Sequence, residues 1–400
     1  MAITAAYNYE VEASLVLENG KEIDLIPETF QYIIIDHDYD NKNMPCLYIG
    51  LKVNSKTYNQ MVKYINTAVI SFFMYKYDKN ATNKLRKKYI EGQFIYFMDN
   101  VNPNYQEELE TETDDGEEIQ AGNYKVGCIG LLQIESLNNN KIVNNAIIKN
   151  SRLSSIVHKF TKHMNMVIEP FTQNPMIRQL IIPPTDSITK LLAYLNNQYS
   201  FYKTNNYRYY RDFHVTYLLS SRGNPIDMGD NIYNTIIINI LDKSDYLGKE
   251  NSTTIDSKNK SYIINIDSDN TDIDIGNITD KTYNSIMGID INGNTRKVDL
   301  SISKNSNSTE KVTLKRVSNI KSNSIDVMKD NIDKSNCVIT ITKTELDNSV
   351  ITPNREFQVS NCKEYKKYDG RYLLSSKKEV FLPQEENSFI GSTSFILRKA

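Results

Sequence analysis

The 400-residue chain carries 47 basic and 49 acidic side chains, for a net charge of -2, with 40% hydrophobic and 10% aromatic residues. Two or three domains with sizeable cores are the natural expectation. The near-neutral balance argues against a dedicated nucleic-acid binder, whose affinity comes largely from neutralising phosphates, and no run reaches the roughly eighteen apolar residues a membrane-spanning helix needs.

The start, MAITAAYNYE, has neither the basic nor the apolar region of a secretion signal, so synthesis and use in a cytoplasm are expected. Tyr7, Tyr9, Val11, Ala13, Leu15 and Leu17 then alternate with polar residues, the period of a half-buried strand. Asn19-Gly20 predicts a two-residue hairpin with positive φ at both positions. Strands follow at TFQYIIIDHD and PCLYIGLKV, and Tyr58, Met61, Val62 and Ile65 predict a helix over 56–66. TAVISFFMYKY and QFIYFMDN read as further strands. Eight carboxylates without a base, Glu107, Glu108, Glu110, Glu112, Asp114, Asp115, Glu117 and Glu118, predict a solvated acidic loop.

YKVGCIGLLQIESL predicts a strand ending near Leu137, and Leu153, Ile156, Val157, Phe160 and Met164 stripe a helix. In IPPTDSITKLLAYLNNQ the prolines are expected to end a strand, Thr185 or Asp186 to cap, and Ile188, Leu191, Leu192 and Leu195 to face a core. The aromatic, basic stretch YSFYKTNNYRYYRDFHVTYLL comes next and reads as strand, turn at KTNN, strand. It has two uses: a platform on which bases stack beside a basic groove, or rings packed against the preceding helix. The charge balance and Asp212 favour packing. From about Asn224 short alternating strands dominate, with one possible helix over 324–332, so the last third reads as all-β of sandwich or barrel type.

Chemical constellations are sparse. Cys46, Cys128, Cys337 and Cys362 form no CxxC pair and read as free thiols. DHDYDN and DSDNTDIDIG start like calcium loops but place Leu47 and Ile278 where a terminal glutamate is required, so both read as surface strand ends. His158 and His163 share a helix about 140° apart, which is unsuited to joint ligation. No serine elbow, P-loop or GxGxxG string occurs. The expectation is a non-enzyme with no cofactor and no metal.

The order of parts resembles the baseplate hub proteins of tailed bacteriophages and contractile injection systems. The resemblance is carried by Ser187, Leu191, Leu192, Leu195, Tyr199 and Phe201 in a capped helix followed by an aromatic pair, and by Tyr368, Asp369, Gly370 and Tyr372 in a Y-x-x-x-D-G-x-Y strand pair. All ten would be structural. The resemblance implies a mainly β protein with a few helices, built of tube-like β-barrel domains and a small α/β middle domain. The expected units are an N-terminal barrel over 1–147 bearing the acidic loop, a helix-containing middle domain over 148–235, and a C-terminal barrel-like region over 236–400. It further implies a homotrimer forming a pseudo-hexameric ring that joins the tail tube to the central spike and other baseplate proteins. DNA would pass transiently and non-specifically through its lumen, kept from adhering by acidic residues. The ring would reside in the virion tail, be assembled in the host cytoplasm, and insert into no membrane. Another tail-tip or tube component, a cell-wall glycan-binding β-protein and, from a third class, a wall-degrading enzyme are the alternatives.

Overall fold

The computed structural model describes residues 7–78, 85–98, 123–202, 207–221, 235–242, 253–256, 261–267, 273–276, 285–289, 295–299, 312–313, 338–344, 346–360, 366, 369–384 and 387–400. The acidic run 107–118, the KTNN turn, Tyr368 and the helix expected over 324–332 lie outside them.

The N-terminal region is built from β1 (Tyr7–Val16), β2 (Glu22–Leu25), β3 (Phe30–Asp38), β4 (Cys46–Asn54), α1 (Ser55–Lys63), β5 (Val69–Asp78), β6 (Lys87–Met98) and β7 (Asn123–Gln133). Strict alternation puts Ile70, Phe72 and Met74 of β5 inside and their neighbours outside. The β1–β2 turn differs from the expected two-residue form. Only Gly20 has positive φ (77°), its N–H donates to Leu17 O, and Leu17 N–H donates to Lys21 O, which makes a three-residue loop closed by the glycine. Gly50 in β4 is required by packing: a Cβ there would stand 2.5 Å from the Tyr32 ring.

The middle region holds α2 (Ile134–Asn140), β8 (Lys141–Arg152), α3 (Leu153–Thr161), β9 (Met166–Ile168), β10 (Met176–Ser187), α4 (Ile188–Tyr199), β11 (Tyr207–Arg211) and β12 (Thr216–Ser220). β7 ends four residues before Leu137, because α2 begins at Ile134 with Ser136 Oγ hydrogen-bonded to Gln133 Oε1. β10 runs through the two prolines with register irregularities, which an edge strand tolerates. The α4 cap is therefore Ser187, whose Oγ accepts from Lys190 N–H, rather than Thr185 or Asp186. The strand expected through 209–217 is broken into β11 and β12 by a turn in which Asp212 Oδ1 accepts from Phe213 N–H and Asp212 N–H donates to Val215 O. The rings of this stretch are inside: Phe201, Tyr202, Tyr209, Tyr210, Phe213 and Tyr217 are all buried.

The rest comprises β13 (Thr235–Leu241), β14 (Thr253–Asp256), β15 (Ser261–Asp267), β16 (Ile273–Gly276), β17 (Ser285–Ile289), β18 (Thr295–Asp299), β19 (Val312–Thr313), β20 (Val338–Thr344), β21 (Glu356–Ser360), β22 (Gly370–Pro383) and β23 (Ser388–Lys399). The protein is mainly β with four described α-helices.

The last hairpin organises everything else. Neighbours run β22-β3-β4-β7-β6-β5-β1-β23, and β22 also pairs with β23, so eight strands close into a barrel. Only half of the hairpin is spent there. Ser376–Phe381 pair with β3 and Ser388–Ile390 with β1. Beyond a register shift at Leu374/Ser376, Gly370–Tyr372 pair with β21 and Ser392–Arg398 with β20. β13, β15 and β14 extend the β21 side and β16 the β20 side, forming a second curved sheet around its own core. The first barrel, expected within 1–147, is thus completed by residues from the far end of the chain. Its interior is filled by side chains such as Leu15, Ile33, Ile49, Phe72 and Phe94. A third core lies under β8 and β10, between α3, α4 and β11–β12.

Candidate functional site at the junction of the barrel and the second sheet

Where β22 passes from the closed barrel to the second sheet, its inward-facing row changes from Phe381 to two charges, Glu379 and Lys377. Their cross-strand partners on β3 are Ile35 and His37. Glu379 is fully buried: Oε1 accepts from Tyr89 O–H at 2.5 Å and lies 3.0 Å from Lys377 Nζ. His37 Nε2 stands 3.6 Å from Glu379 Oε2, and its Nδ1 is 3.0 Å from Tyr210 O–H. Burial by itself would raise the Glu379 carboxyl, but Lys377, His37 and Tyr89 outweigh it and hold the carboxyl down at about 2. The Tyr89 phenol is pushed up by burial and by Glu379.

A second buried pair ties β5 to the segment before β21. Lys76 binds the Asp347 carboxylate, donates to Ser349 Oγ at 3.0 Å, and lies over the Tyr7 ring. Burial raises the Asp347 carboxyl, and Lys76 more than reverses this, leaving it below its ordinary value. Lys377 Nζ also reaches Asn348 O at 3.4 Å, which joins the two clusters.

On the other side of the hairpin, the turn after β3 inserts Asp40 between two buried arginines. Arg398 donates through Nε at 3.0 Å, Arg208 Nη1 stands 3.8 Å away, and Ser375 Oγ donates at 2.5 Å. Arg208 also donates to Leu374 O at 2.8 Å, and Arg398 to Ser221 O at 2.6 Å. Burial lowers the Arg208 guanidinium to about 10 against the pull of Asp40. Asp40, which burial would raise, is held low by Arg208 and Arg398. Asp36 and Asp38 of the same DHDYDN segment serve Lys42 and the turn backbone. Arg211 is likewise committed, to Ser136, Thr216 and Glu135. Arg208 and Arg211 of the aromatic stretch are therefore internal braces.

The β11–β12 turn fits into the mouth of the first barrel. Phe213 joins that barrel's core, edge-on to Phe94 and to His37. A cavity of about 220 Å³ remains beside it, bordered by His37, Asp212, His214, Asn348, Lys377 and Glu379. Among the described residues no group of three or more His, Cys, Asp or Glu side chains is placed to hold a metal ion. What the arrangement does is fix three regions of chain against one another with compensated buried charge.

The residues expected to be structural fall in two places. Ser187 caps α4, Leu191, Leu192, Leu195 and Phe201 are buried in the third core with Tyr199 packed beside them, and Phe201 stacks on Phe171 at 4.8 Å. Asp369 N–H donates to Lys366 O, Gly370 opens β22 with φ 139°, and Tyr372 is buried in the second core. These two groups do not form one site. The waist residues His37, Asp40, Lys76, Asp347, Lys377, Glu379 and Arg398 carried no expectation of a shared role. The signal that could have found some of them is a charge on the apolar parity of a strand, as with Lys76 after Phe72 and Met74.

This fold is similar to that of solved phage tail proteins. The chain is similar to the 43 kDa tail protein of prophage MuSo2 from Shewanella oneidensis, with TM-score 0.50 and 10% identity over 98% of this chain and 96% of that one. It is also similar to a tail protein from Neisseria meningitidis MC58, with TM-score 0.49 and 10% identity over the same shares. Comparison with curated proteins returns no match. Residues 1–400 match the family model described as Bacteriophage PBS1 gene 109 protein, and the chain belongs to that family.

Proposed function

We propose that this protein is the structural hub of a phage tail baseplate, a homotrimer that joins the tail tube to the central spike and neighbouring baseplate proteins in the virion tail, assembled in the host cytoplasm. The observation that carries this reading is the shared hairpin: each chain offers two β-barrel-like bodies built on the two halves of β22 and β23. Three chains would present six such bodies, the arrangement needed to match a six-fold tube to a three-fold spike. Since the first barrel is packed solid, DNA would pass through a lumen enclosed by the chains, where acidic residues, the run 107–118 among them, would discourage adhesion. The role is mechanical and needs no catalytic group.

Light scattering across a concentration series tests the reading. A mass near three times 46.1 kDa, and a ring with a central opening in electron micrographs, are expected. A chain that stays monomeric at every concentration and with its tail partners present overturns it.

A further inference from the structure

Where its side chains are described, the β8–β10 ladder over 146–149 and 179–182 is covered on one face only. Ile148, Leu180 and Ile182 enter the core beneath α3 and α4, while Ile147 and Ile181, directly opposite in register, are 65% and 61% exposed. Met176 on the same ladder is 60% exposed. Isolated exposed apolar residues are ordinary, but a cross-strand pair on a two-stranded sheet with both edges unpaired among the described residues is a surface suited to contact. Lys149, two residues from Ile147, shares its face, and Arg152 and Arg178 are exposed farther along the ladder, where the alternation shifts near Asn150 (φ 46°); none of the three has a carboxylate partner among the described residues. Residues 141–190 hold seven Lys and Arg against Glu169 and Asp186, an excess of five. Glu169 is buried against Ser220 and Asp186 is paired with Lys190, so neither offsets that surface.

A complementary surface lies at the opposite end of the sequence. β2 pairs with β1 alone, leaving its other edge open among the described residues. Glu18, Glu22, Asp24 and Glu28 are exposed there, with Lys21 the single base between them and no ion pair among the described residues. Ile26 is 54% exposed in their midst. Charge of one sign along an open edge prevents like edges from pairing and leaves the pairing of unlike edges available.

We propose that the outward face of the β8–β10 ladder on one copy docks against the β2 edge of a second copy, with Arg178 and Lys149 set against Glu22 and Asp24, and Ile147 and Ile181 covering Ile26. The inference rests on the reading of the protein as a ring of identical chains and names two surfaces that join them. Because the two surfaces differ, the contact is heterologous, the kind that closes into a ring. Nucleic acid fits the basic face less well, since its exposed apolar groups are aliphatic and offer no ring for stacking.

The test uses the full chain and its variants Arg178→Glu, Asp24→Arg and the double exchange, compared by sedimentation equilibrium, with Lys149→Glu as a second basic-face variant. Each single reversal is expected to weaken self-association about tenfold or more, the double exchange to restore most of it, and added salt to weaken the wild type. All sites are exposed, so each variant should keep the wild type's far-ultraviolet circular dichroism, and at concentrations where every chain is monomeric the melting temperatures should coincide. A trimer whose association is unchanged by the reversals overturns the docking while leaving the ring intact; a wild type that never associates overturns both. An oligonucleotide held by the wild type and released by Arg178→Glu, with mass unaffected, would reassign the basic face to nucleic acid and overturn the proposal.

Discussion

Glu379→Gln isolates what the buried waist contributes. The carboxyl sits at about 2 in the fold against an ordinary 4.5, because Lys377, His37 and Tyr89 outweigh its burial. A group lowered on folding adds stability that is fully present above its unfolded value and is lost as pH falls from about 4.5 toward 2. At about 1.4 kcal/mol per pH unit the contribution at neutral pH is about 3 kcal/mol. The glutamine keeps the shape but leaves Lys377 buried without its carboxylate, a change that costs about 3–5 kcal/mol. Urea unfolding at fixed protein concentration measures this, with tyrosine fluorescence as probe since the chain has 27 tyrosines and no tryptophan. The variant should be less stable at pH 7 by that amount, and the gap should shrink as the wild type is brought below pH 4. Equal stability at pH 7, or a deficit that ignores pH, would refute the reasoning.

Asp40→Asn leaves Arg208 and Arg398 buried without a carboxylate, and a loss of about 3–5 kcal/mol is expected in the same assay. The fragment 1–147 contains β1 to β7 but neither β22 nor β23, so β3 and β1 become open edges. It should show no cooperative thermal transition in circular dichroism; a sharp melt would establish that the barrel closes without the C-terminal hairpin.

Much of the local structure was legible because local periodicity encodes it. The alternation of β1 and β5, the stripes of α3 and α4, and the mainly β character follow from which side chains must leave water. Turn detail was less legible: Asn19 was expected to share positive φ with Gly20, and the break at Asp212 was invisible because one side-chain hydrogen bond decides it. The waist was hidden for another reason. His37 lies in a segment that invites comparison with metal loops, yet its neighbours are Glu379 and Tyr210, reached through strand pairings more than three hundred residues apart in sequence and through a separate hairpin. Periodicity marks Lys377 and Glu379 as sharing the face of Phe381, but not that this face turns inward at a point where β22 leaves the barrel for the second sheet. That knowledge lives in the pairing of β22 with both β3 and β21, a long-range choice no window along the chain contains. Buried charge is tolerated there because each carboxylate meets a cation from another region, Glu379 with Lys377 aside, and the same condition makes the junction specific. Asp40 finds its guanidinium groups only when the middle region and the last strand are both in place, so the compensation that makes burial possible also reports that the barrel and the second sheet have been joined correctly.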